Sequence, residues 1–395
     1  WVGDLPTIRG YECEEISRSL LAGEGYAFSY HGPVQPTAHQ YPLYCWLMAG
    51  HFAAFGFHYL PLQLTQTVIG AGTCVLLWIL AARITDERIG RIAGVLCALY
   101  PVYVYWAVRL QALTVEIALL IGLMILIDRA FESGGFRRFA IAGCLAGAAC
   151  LSKALYLIFV PFLLGWSAWR FGWRGRGAQI AVFAVCTACM ILPWTARNWL
   201  VLGEPVLISS NSGWNLYAGN NPYATGTSFA EGGAPMPETL SDETRAVLRT
   251  LSDVEKDRLF RDRAVTWIQQ NPGRFLALIP KKLYALWWFD PNMPTSFGGL
   301  RVIVYVAVLL GSALGLYFAR PYAKGLSIFL ALALVSSGAY SVFKGSPRFR
   351  YAIEFGFLIL CAIACDGLWR LLRADRRQKE STTSRTSLTA PTLTD

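Results

Sequence analysis

Long apolar runs separated by short charged segments recur along the chain. A helix needs about 20 mostly apolar residues to cross a bilayer, and nine runs reach or approach that length. The predicted spans are Leu62–Arg83, Arg91–Val108, Leu110–Arg129, Phe139–Leu151, Ala154–Trp169, Ala178–Leu200, Leu300–Ala319, Gly325–Phe343 and Tyr351–Leu372. The pattern therefore predicts an all-α polytopic membrane protein built as a helical bundle.

Two further apolar stretches are interrupted by polar residues. Tyr41–Phe57 contains His51, and Phe275–Phe289 contains Pro280 followed by two lysines. Both stretches suit helices that lie at the membrane interface better than helices that cross it. A break at Ser152–Lys153 separates the fourth predicted span from the fifth.

The composition agrees with a membrane protein and excludes several other classes. Of the 395 residues, 55% are hydrophobic and only 15% are charged, whereas about 25% of residues are charged in soluble domains. The aliphatic and aromatic content excludes a disordered chain. The net charge of +10 lies mostly in short loops and the tail, so it indicates loop bias rather than nucleic-acid binding.

Lysine and arginine fall on one side of the membrane when the predicted spans alternate, and the positive-inside rule makes that side cytoplasmic. The predicted organisation is a first outer loop with interfacial helices over residues 1–60, six spans over 61–200, a small extracytoplasmic α or α/β domain over 201–299, three spans over 300–372 and a disordered cytoplasmic tail over 373–395. In the outer domain, a helix is expected from about Ser241, its N-cap, to Gln270. The chain begins at Trp1, which predicts a missing preceding segment, either a cleaved signal or a first span.

The cysteines mostly lie inside apolar runs, where they act as small hydrophobic residues. Cys13 and Cys45 alone lie in polar sequence. A disulfide between them is the less favoured of the two readings, the other being two free thiols. No Cys or His spacing is typical of a metal site, so no metal ligands are predicted.

Ionisable residues gather where the predicted spans meet the outer face. The cations are Arg109, Lys153, Arg197, Lys344, Arg348 and Arg350, and the acids are Glu12, Glu14, Glu15, Glu116 and Glu354. Structural alternatives stay open for most of them: interfacial anchors for three of the cations, ion pairs for Glu116 and Glu354, and a solvated helix face for Glu14 and Glu15. Lys153 has no nearby acid in sequence, which favours a functional role. Cations beside carboxylates at this depth suit a lipid phosphate that faces a general base.

Several motifs occur in an order that is similar to a known family. Residues 193–198 read PWTARN, residues 213–222 read GWNLYAGNNP, and Gly226 follows. Weaker matches in the same order are residues 11–26, 36–38, 41–44, 98–101, 151–153, 271–275 and 348–350. The chain resembles the bacterial family 39 membrane glycosyltransferases of the GT-C class, whose relatives include the aminoarabinose transferase of lipid A and the protein O-mannosyltransferases. The resemblance covers nearly the whole chain except the tail.

The resemblance implies an inverting transfer of a sugar from a polyprenyl-phosphate-linked donor to an extracytoplasmic lipid, glycan or protein, in a bacterial inner membrane with the site facing the periplasm. Glu12 matches the family's first-loop acid, commonly Asp, and is the expected general base, with Glu14 or Glu15 as alternatives. The expected phosphate-binding residues are Lys153, Arg197, Arg348 and Arg350. The expected supporting residues are Tyr11, Glu15, Arg109, Glu116, Asn198, Asn220, Asn221 and Glu354.

Other functions stay open on the sequence alone. A transporter or flippase of lipid-linked sugars places charges near mid-membrane and often carries internal repeats, whereas these charges lie at one boundary and no repeat is visible. A lipid-linked polymer ligase or polymerase would differ in donor size, and a non-catalytic envelope assembly subunit would need no base. A divalent cation is also open, because carboxylates cluster near the expected phosphate.

Overall fold

Helices make up most of the computed structural model, which describes residues 10–29, 33–290 and 299–388. The helices are α1 (Tyr11–Leu21), α2 (Pro42–Phe55), α3 (Tyr59–Ile84), α4 (Glu87–Leu99), α5 (Pro101–Val108), α6 (Leu113–Ser133), α7 (Phe136–Ser152), α8 (Tyr156–Phe171), α9 (Gly177–Leu202), α10 (Ser212–Gly219), α11 (Asp242–Leu248), α12 (Asp253–Gln270), α13 (Pro272–Trp287), α14 (Gly299–Phe318), α15 (Ala323–Val342), α16 (Pro347–Arg350) and α17 (Phe355–Leu388). Strands β1 (Ala27–Phe28) and β2 (Gln35–Pro36) pair antiparallel. The predicted all-α membrane architecture is confirmed.

Five helices among the described residues are long and apolar enough to cross a membrane, and they correspond to α3, α9, α14, α15 and α17. A sixth crossing results if α4 and α5 count as one span, although they are bent by 54°. The predicted span Arg91–Val108 breaks there because Tyr100, which precedes Pro101, is extended (φ −74°, ψ 109°), as residues before proline tend to be. Helices α6, α7 and α8 are not among these five helices, so their crossing of the membrane stays a prediction. Helix α6 carries two buried acids, Glu116 and Asp128, and helices α7 and α8 have only 17 and 16 residues.

Glycines on α7 allow that helix to pack directly against α9. A Cβ atom added at Gly143 would lie 2.4 Å from the carbonyl oxygen of Phe183, and one added at Gly147 would lie 2.4 Å from the Cβ atom of Met190. The two glycines are four residues apart and therefore share one face of α7. Small residues at this spacing let membrane helices approach closely, and the contact fixes the outer end of α7, where Lys153 follows.

The predicted helix from Ser241 to Gln270 is divided into α11 and α12. Ser241 caps α11 as predicted, because its side chain accepts a hydrogen bond from the backbone of Thr244. Ser252 and Glu255 form a capping box that begins α12, and this second start signal is what divides the stretch. In the described part of residues 201–299 the β structure is one isolated bridge, so this part is α-helical, and its position outside the cytoplasm stays a prediction.

Both predicted interfacial stretches form helices, α2 and α13, and their place at the membrane interface stays a prediction. The tail differs from expectation, because α17 continues to Leu388 and residues 373–388 are therefore helical instead of disordered. Residues 373–380 are rich in Arg, Ala, Gln, Lys and Glu, which are strong helix formers. Residues 1–9, 30–32, 291–298 and 389–395 lie outside the described residues, and with them parts of the predicted first loop, outer domain and tail.

Candidate active site

A cavity of about 550 Å³ lies where the first outer segment, the membrane helices and the outer domain meet. Its wall takes residues from the start of α1, the segment before α2, the α5–α6 and α7–α8 turns, the start of α10, and residues 339–349. Of the residues predicted for the site, Glu12, Glu116, Lys153 and Arg348 line this cavity. Lys344 and His39 line it too, and neither was assigned a role from the sequence.

Lys153 lies at the predicted break between two helices. Helix α7 ends at Ser152, and Lys153 is extended (φ −164°, ψ 122°). Its Nζ atom lies 3.1 Å from Oε2 of Glu116, and only 12% and 7% of the two side chains are exposed. The hydroxyl of Tyr156 donates to the backbone oxygen of Glu116 at 3.1 Å, which holds the acid in place. The ion pair predicted for Glu116 therefore exists, but with a lysine 37 residues away in sequence.

A second cationic wall comes from the segment between α15 and α16. Lys344 and Arg348 both line the cavity. Partial burial, and then the nearby Arg348, lower the pKa of Lys344 to about 8, while Glu12 opposes the shift. The guanidinium of Arg348 lies 5.5 Å from the centre of the Trp106 ring, a distance at which a cation is attracted to the ring face. The sequence signal for Lys344 was its position just after a span and close to Arg348.

Glu12 lies in the first turn of α1 and lines the same cavity. Of the three acids considered as the base, Glu12 alone lines the cavity. Glu14 accepts hydrogen bonds from the backbone of Gly10 and the hydroxyl of Tyr59, at 2.8 and 2.7 Å. Glu15 is exposed to solvent, as its structural alternative predicted.

Helix α1 is attached to α2 directly behind Glu12. A disulfide joins Cys13 to Cys45, so the favoured reading of two free thiols was wrong. The sequence separation of 32 residues gave no sign that the hairpin of β1 and β2 brings the two helices together. The hydroxyl of Ser17 also donates to the backbone oxygen of Cys45 at 3.1 Å. An isolated helix of 11 residues is marginal in water, so these bonds fix where Glu12 lies.

His39 lines the cavity and was not predicted as a site residue from the sequence. Burial lowers the pKa of His39, while Asp253, Glu12 and Asp257 oppose the shift and Lys344 adds to it. Its backbone oxygen accepts a hydrogen bond from the amide of Asn211 at 2.8 Å, which ties this segment to the start of α10. The signal available in sequence was its position next to the Pro36–Ala38 match.

Arg197 and Asn198 lie outside the cavity lining and hold the first outer segment instead. Arg197 donates to the backbone oxygens of Thr37 and Tyr26 at 2.7 and 2.8 Å. The amide of Asn198 donates to the backbone oxygen of Val206 at 2.8 Å. These contacts explain why a PWTARN motif at the end of α9 determines the shape of a segment that is distant in sequence.

Arg350 and Glu354 also lie outside the cavity lining. Their side chains are 2.6 Å apart and only 2% and 1% exposed. The guanidinium of Arg350 further donates to the backbone oxygens of Leu286 and Trp288, and the hydroxyl of Tyr100 donates to Glu354 at 2.6 Å. The structural alternative for Glu354 is confirmed, and the donors of Arg350 are directed at protein atoms.

The remaining predicted supporting residues do not line the cavity. Arg109 lies 4.9 Å from the centre of the Tyr105 ring. Tyr11 is 57% exposed and has φ 49°, a left-handed conformation that is uncommon for a residue other than glycine; it starts α1 one residue before Glu12. Asn220 and Asn221 are fully buried.

No group of three or more His, Cys, Asp or Glu side chains that could hold a metal ion occurs within the part of the chain that the structure describes. The divalent cation left open on the sequence stays a prediction.

Comparison with known proteins gives a family match over part of the chain and a fold match over nearly all of it. Residues 35–196 match the model of the family described as dolichyl-phosphate-mannose-protein mannosyltransferase. No curated protein matches the chain.

The oligosaccharyltransferase of Archaeoglobus fulgidus has a similar fold. Its apo structure matches with a TM-score of 0.55 and 16% identity, covering 94% of this chain and 48% of that one. The same enzyme tethered to an acceptor peptide matches with a TM-score of 0.54 and 15% identity, covering 93% and 46%. This chain thus spans about half the length of that enzyme. ArnT from Cupriavidus metallidurans bound to undecaprenyl phosphate matches with a TM-score of only 0.37 and 14% identity, covering 90% and 72%. The chain therefore shares the GT-C fold of the oligosaccharyltransferase, and its residues 35–196 are similar to the mannosyltransferase family.

Proposed function

We propose that this multi-pass membrane protein is an inverting glycosyltransferase that moves a sugar from a polyprenyl-phosphate-linked donor to an extracytoplasmic lipid, glycan or protein. The observation that carries the proposal is the cavity, which Lys153, Lys344 and Arg348 line together with Glu12. The match of residues 35–196 to a family named for a dolichyl-phosphate sugar donor supports the same chemistry.

The donor phosphate would lie among the three cations. Lysine and arginine bind phosphate through charge-assisted hydrogen bonds, and a partly buried site strengthens them relative to water. Arg197 and Arg350 are omitted from this set, because they donate hydrogen bonds to backbone oxygens and to amide or carboxylate groups of the protein. The lipid chain would leave the cavity past the apolar residues Leu155, Ile158 and Ala339, which line it between α8 and α15.

Glu12 would act as the general base. It accepts the proton of the acceptor hydroxyl or amine while the acceptor atom attacks the anomeric carbon. The bond between that carbon and the phosphate oxygen breaks, and polyprenyl phosphate leaves with the bonding electron pair. The cations stabilise the negative charge that grows on the phosphate, which is electrostatic catalysis aimed at the transition state. Attack from the face opposite the leaving group inverts the anomeric configuration.

The proposed location is a bacterial inner membrane, with the cavity open to the periplasm. The disulfide between Cys13 and Cys45 supports an extracytoplasmic position for the cavity side, because disulfides persist in oxidising compartments.

The proposal is tested in two steps. Mass spectrometry of envelope glycolipids, glycans and glycoproteins, with and without the gene, identifies the transferred sugar and the acceptor by the mass that is lost. The purified protein in liposomes is then assayed with that donor as wild type, Glu12→Gln, Lys153→Ala and the exposed control Glu15→Gln. We expect the first two variants to lose transfer and the control to keep it. Wild-type turnover by Glu12→Gln and Lys153→Ala at normal protein levels would overturn the site.

The same liposomes separate an enzyme from a flippase. Movement of a lipid-linked sugar across the bilayer without formation of a new glycosidic bond would contradict the proposed transfer.

A further inference from the structure

The Asn-rich motif is the most specific sequence signal in the chain. Its residues Trp214 and Asn215 line the cavity, whereas the asparagine pair Asn220 and Asn221 does not. Asn220 and Asn221 are fully buried and lie behind the segment that carries Lys344. The amide nitrogen of Asn220 donates to the backbone oxygens of Leu216 and Val342, at 2.8 and 2.9 Å. The residue therefore connects the end of α10 to the end of α15.

A buried lysine makes the same connection from α13. Lys282 is fully buried, and its Nζ atom donates to Oδ1 of Asn220 at 2.7 Å and to the backbone oxygen of Val342 at 3.0 Å. Burial lowers the pKa of Lys282 to about 7, and both hydrogen bonds can be donated by either the ammonium or the neutral amine. The oxygen of Val342 thus receives two side-chain donors from two different elements.

The backbone on either side of Lys344 is held by direct backbone contacts. The amide of Gly345 donates to the backbone oxygen of Gly226 at 2.8 Å. A Cβ atom at Gly345 would lie 2.1 Å from the oxygen of Lys282, and one at Gly219 would lie 1.9 Å from the oxygen of Phe343. These approaches leave no space for any side chain, so residues 342–345 are held between α10 and α13.

We propose that Asn220 and Lys282 are positioning residues, which fix residues 342–345 so that Lys344 and Arg348 meet the phosphate of the lipid-linked donor. This inference rests on the proposed function, since the ligand is the donor phosphate. Asn220 then serves the site from behind the cavity wall, without lining the cavity itself. A displacement of about 1 Å in a binding group can lower the rate by about a hundredfold, which sets the size of the expected effect.

Asn221 provides a matched control within the same motif. It is as buried as Asn220, and its amide donates to the backbone oxygen of Tyr217 at 2.8 Å and to the sulfur of Met236 at 3.3 Å. Its oxygen accepts from the backbone of Tyr223 at 2.8 Å. Asn221 therefore supports the fold of the outer domain without a hydrogen bond to residues 342–345.

The experiment compares Asn220→Ala, Asn221→Ala, Lys282→Met and Lys282→Gln with the wild type. Hydrogen exchange of the peptide over residues 340–350 reports how firmly the segment is held, whatever the protein does. Binding of undecaprenyl phosphate in nanodiscs reports the phosphate site. We expect Asn220→Ala and Lys282→Met to exchange faster there and to bind about 10- to 100-fold more weakly, with the acceptor KM unchanged. Lys282→Gln keeps an amide donor and should be closer to the wild type, and Asn221→Ala should match the wild type in both measurements.

Four results would overturn the inference, and the last of them would overturn the proposed function as well. Equal losses in Asn220→Ala and Asn221→Ala would assign both residues to general folding. Faster exchange with unchanged phosphate binding would separate the segment from the site. If Asn220→Ala does not fold, Lys282→Met carries the same expectation, and wild-type behaviour there would refute it. A wild type that binds no undecaprenyl phosphate and transfers no sugar would overturn the proposed function itself, and this inference with it.

Discussion

The buried ion pair between Arg350 and Glu354 allows a direct test of whether these residues belong to the fold or to the phosphate site. In Glu354→Leu, the carboxylate that lies 2.6 Å from Arg350 is removed, and the hydroxyl of Tyr100 loses its acceptor. Arg350 stays buried with only backbone oxygens as partners. Removing one partner of a buried pair costs about 3–5 kcal/mol, because an uncompensated charge remains in the interior.

That loss converts to a measurable change in thermal stability. A change of 1 kcal/mol shifts Tm by about 2–4 °C for chains of about 150–250 residues, and a longer chain lies at the low end. We therefore expect Glu354→Leu to lower Tm by roughly 6–10 °C in detergent, taking about 2 °C per kcal/mol. The double variant Arg350→Met/Glu354→Leu should lose less than Glu354→Leu, because no buried charge is left. The exposed pair of Arg18 and Glu14 is the control, with Arg18 46% exposed, and Arg18→Ala should cost about 1 kcal/mol or less.

Unfolding is followed by intrinsic fluorescence, and undecaprenyl phosphate binding is measured on the folded fraction below the transition. A fold role predicts a lower Tm with unchanged affinity for the phosphate. An unchanged Tm with lost phosphate binding in Glu354→Leu would refute the reasoning and return Arg350 to the donor site, as the sequence alone predicted.

Three other predictions concern the disulfide, the pH dependence and the helix packing. Reduction of the disulfide, or Cys45→Ser, should lower sugar transfer because Glu12 loses its fixed position, whereas Cys74→Ser should not. Transfer assays, with peptide masses measured without reduction, check this, and full activity with the disulfide open would contradict it. The pKa of Lys344 is lowered to about 8, so kcat/KM for the donor should fall as pH rises through about 8, because the phosphate loses a positive partner. Lys344→Arg stays charged and should keep kcat/KM constant over this range. The same pH profile in Lys344→Arg and the wild type would exclude Lys344 as the source of the fall. Gly147→Ala should lower Tm, since its Cβ atom would lie 2.4 Å from that of Met190. The control Gly165→Ala, whose Cβ atom would have no neighbour within 4 Å, should keep or raise Tm. Thermal unfolding curves measure both, and an equal Tm in the two variants would contradict the close packing.

The local features of the fold could be predicted from the sequence, whereas contacts between distant segments could not. The helix break at Lys153 and the cap at Ser241 follow from short-range signals, and the structure has both. The disulfide and the pair of Lys153 with Glu116 join residues 32 and 37 positions apart. No local pattern encodes such pairings, because they depend on how the helices are arranged.

The same limit explains why the charged residues at the outer boundary could be found from the sequence, but could not be divided into phosphate ligands and residues that hold the fold. Arg197 and Arg350 have the charge and the position in sequence expected of phosphate ligands. They differ from Lys153 and Arg348 because their donors are directed at backbone oxygens of other segments, such as those of Thr37 and Leu286. Arg350 is also paired with the carboxylate of Glu354. A cation is available to a ligand only where the fold does not supply enough acceptors, and that is a property of the tertiary structure.

The three cations and two acids that line the cavity match the charge of the proposed donor. Among the described residues, Lys153, Lys344 and Arg348 line the cavity together with the acids Glu12 and Glu116, which leaves one net positive charge when His39 is neutral. A phosphodiester donor carries one negative charge, so the occupied cavity is neutral. As the sugar is transferred, the phosphate gains a second negative charge and Glu12 gains a proton, and the sum stays at zero. Replacement of Glu12 by Gln would remove one negative charge and leave the occupied cavity with a net positive charge. The donor would then bind at least as tightly, while transfer falls by about 10²–10⁴-fold. A raised donor KM with unchanged kcat in Glu12→Gln would instead make Glu12 a binding residue and leave the base elsewhere.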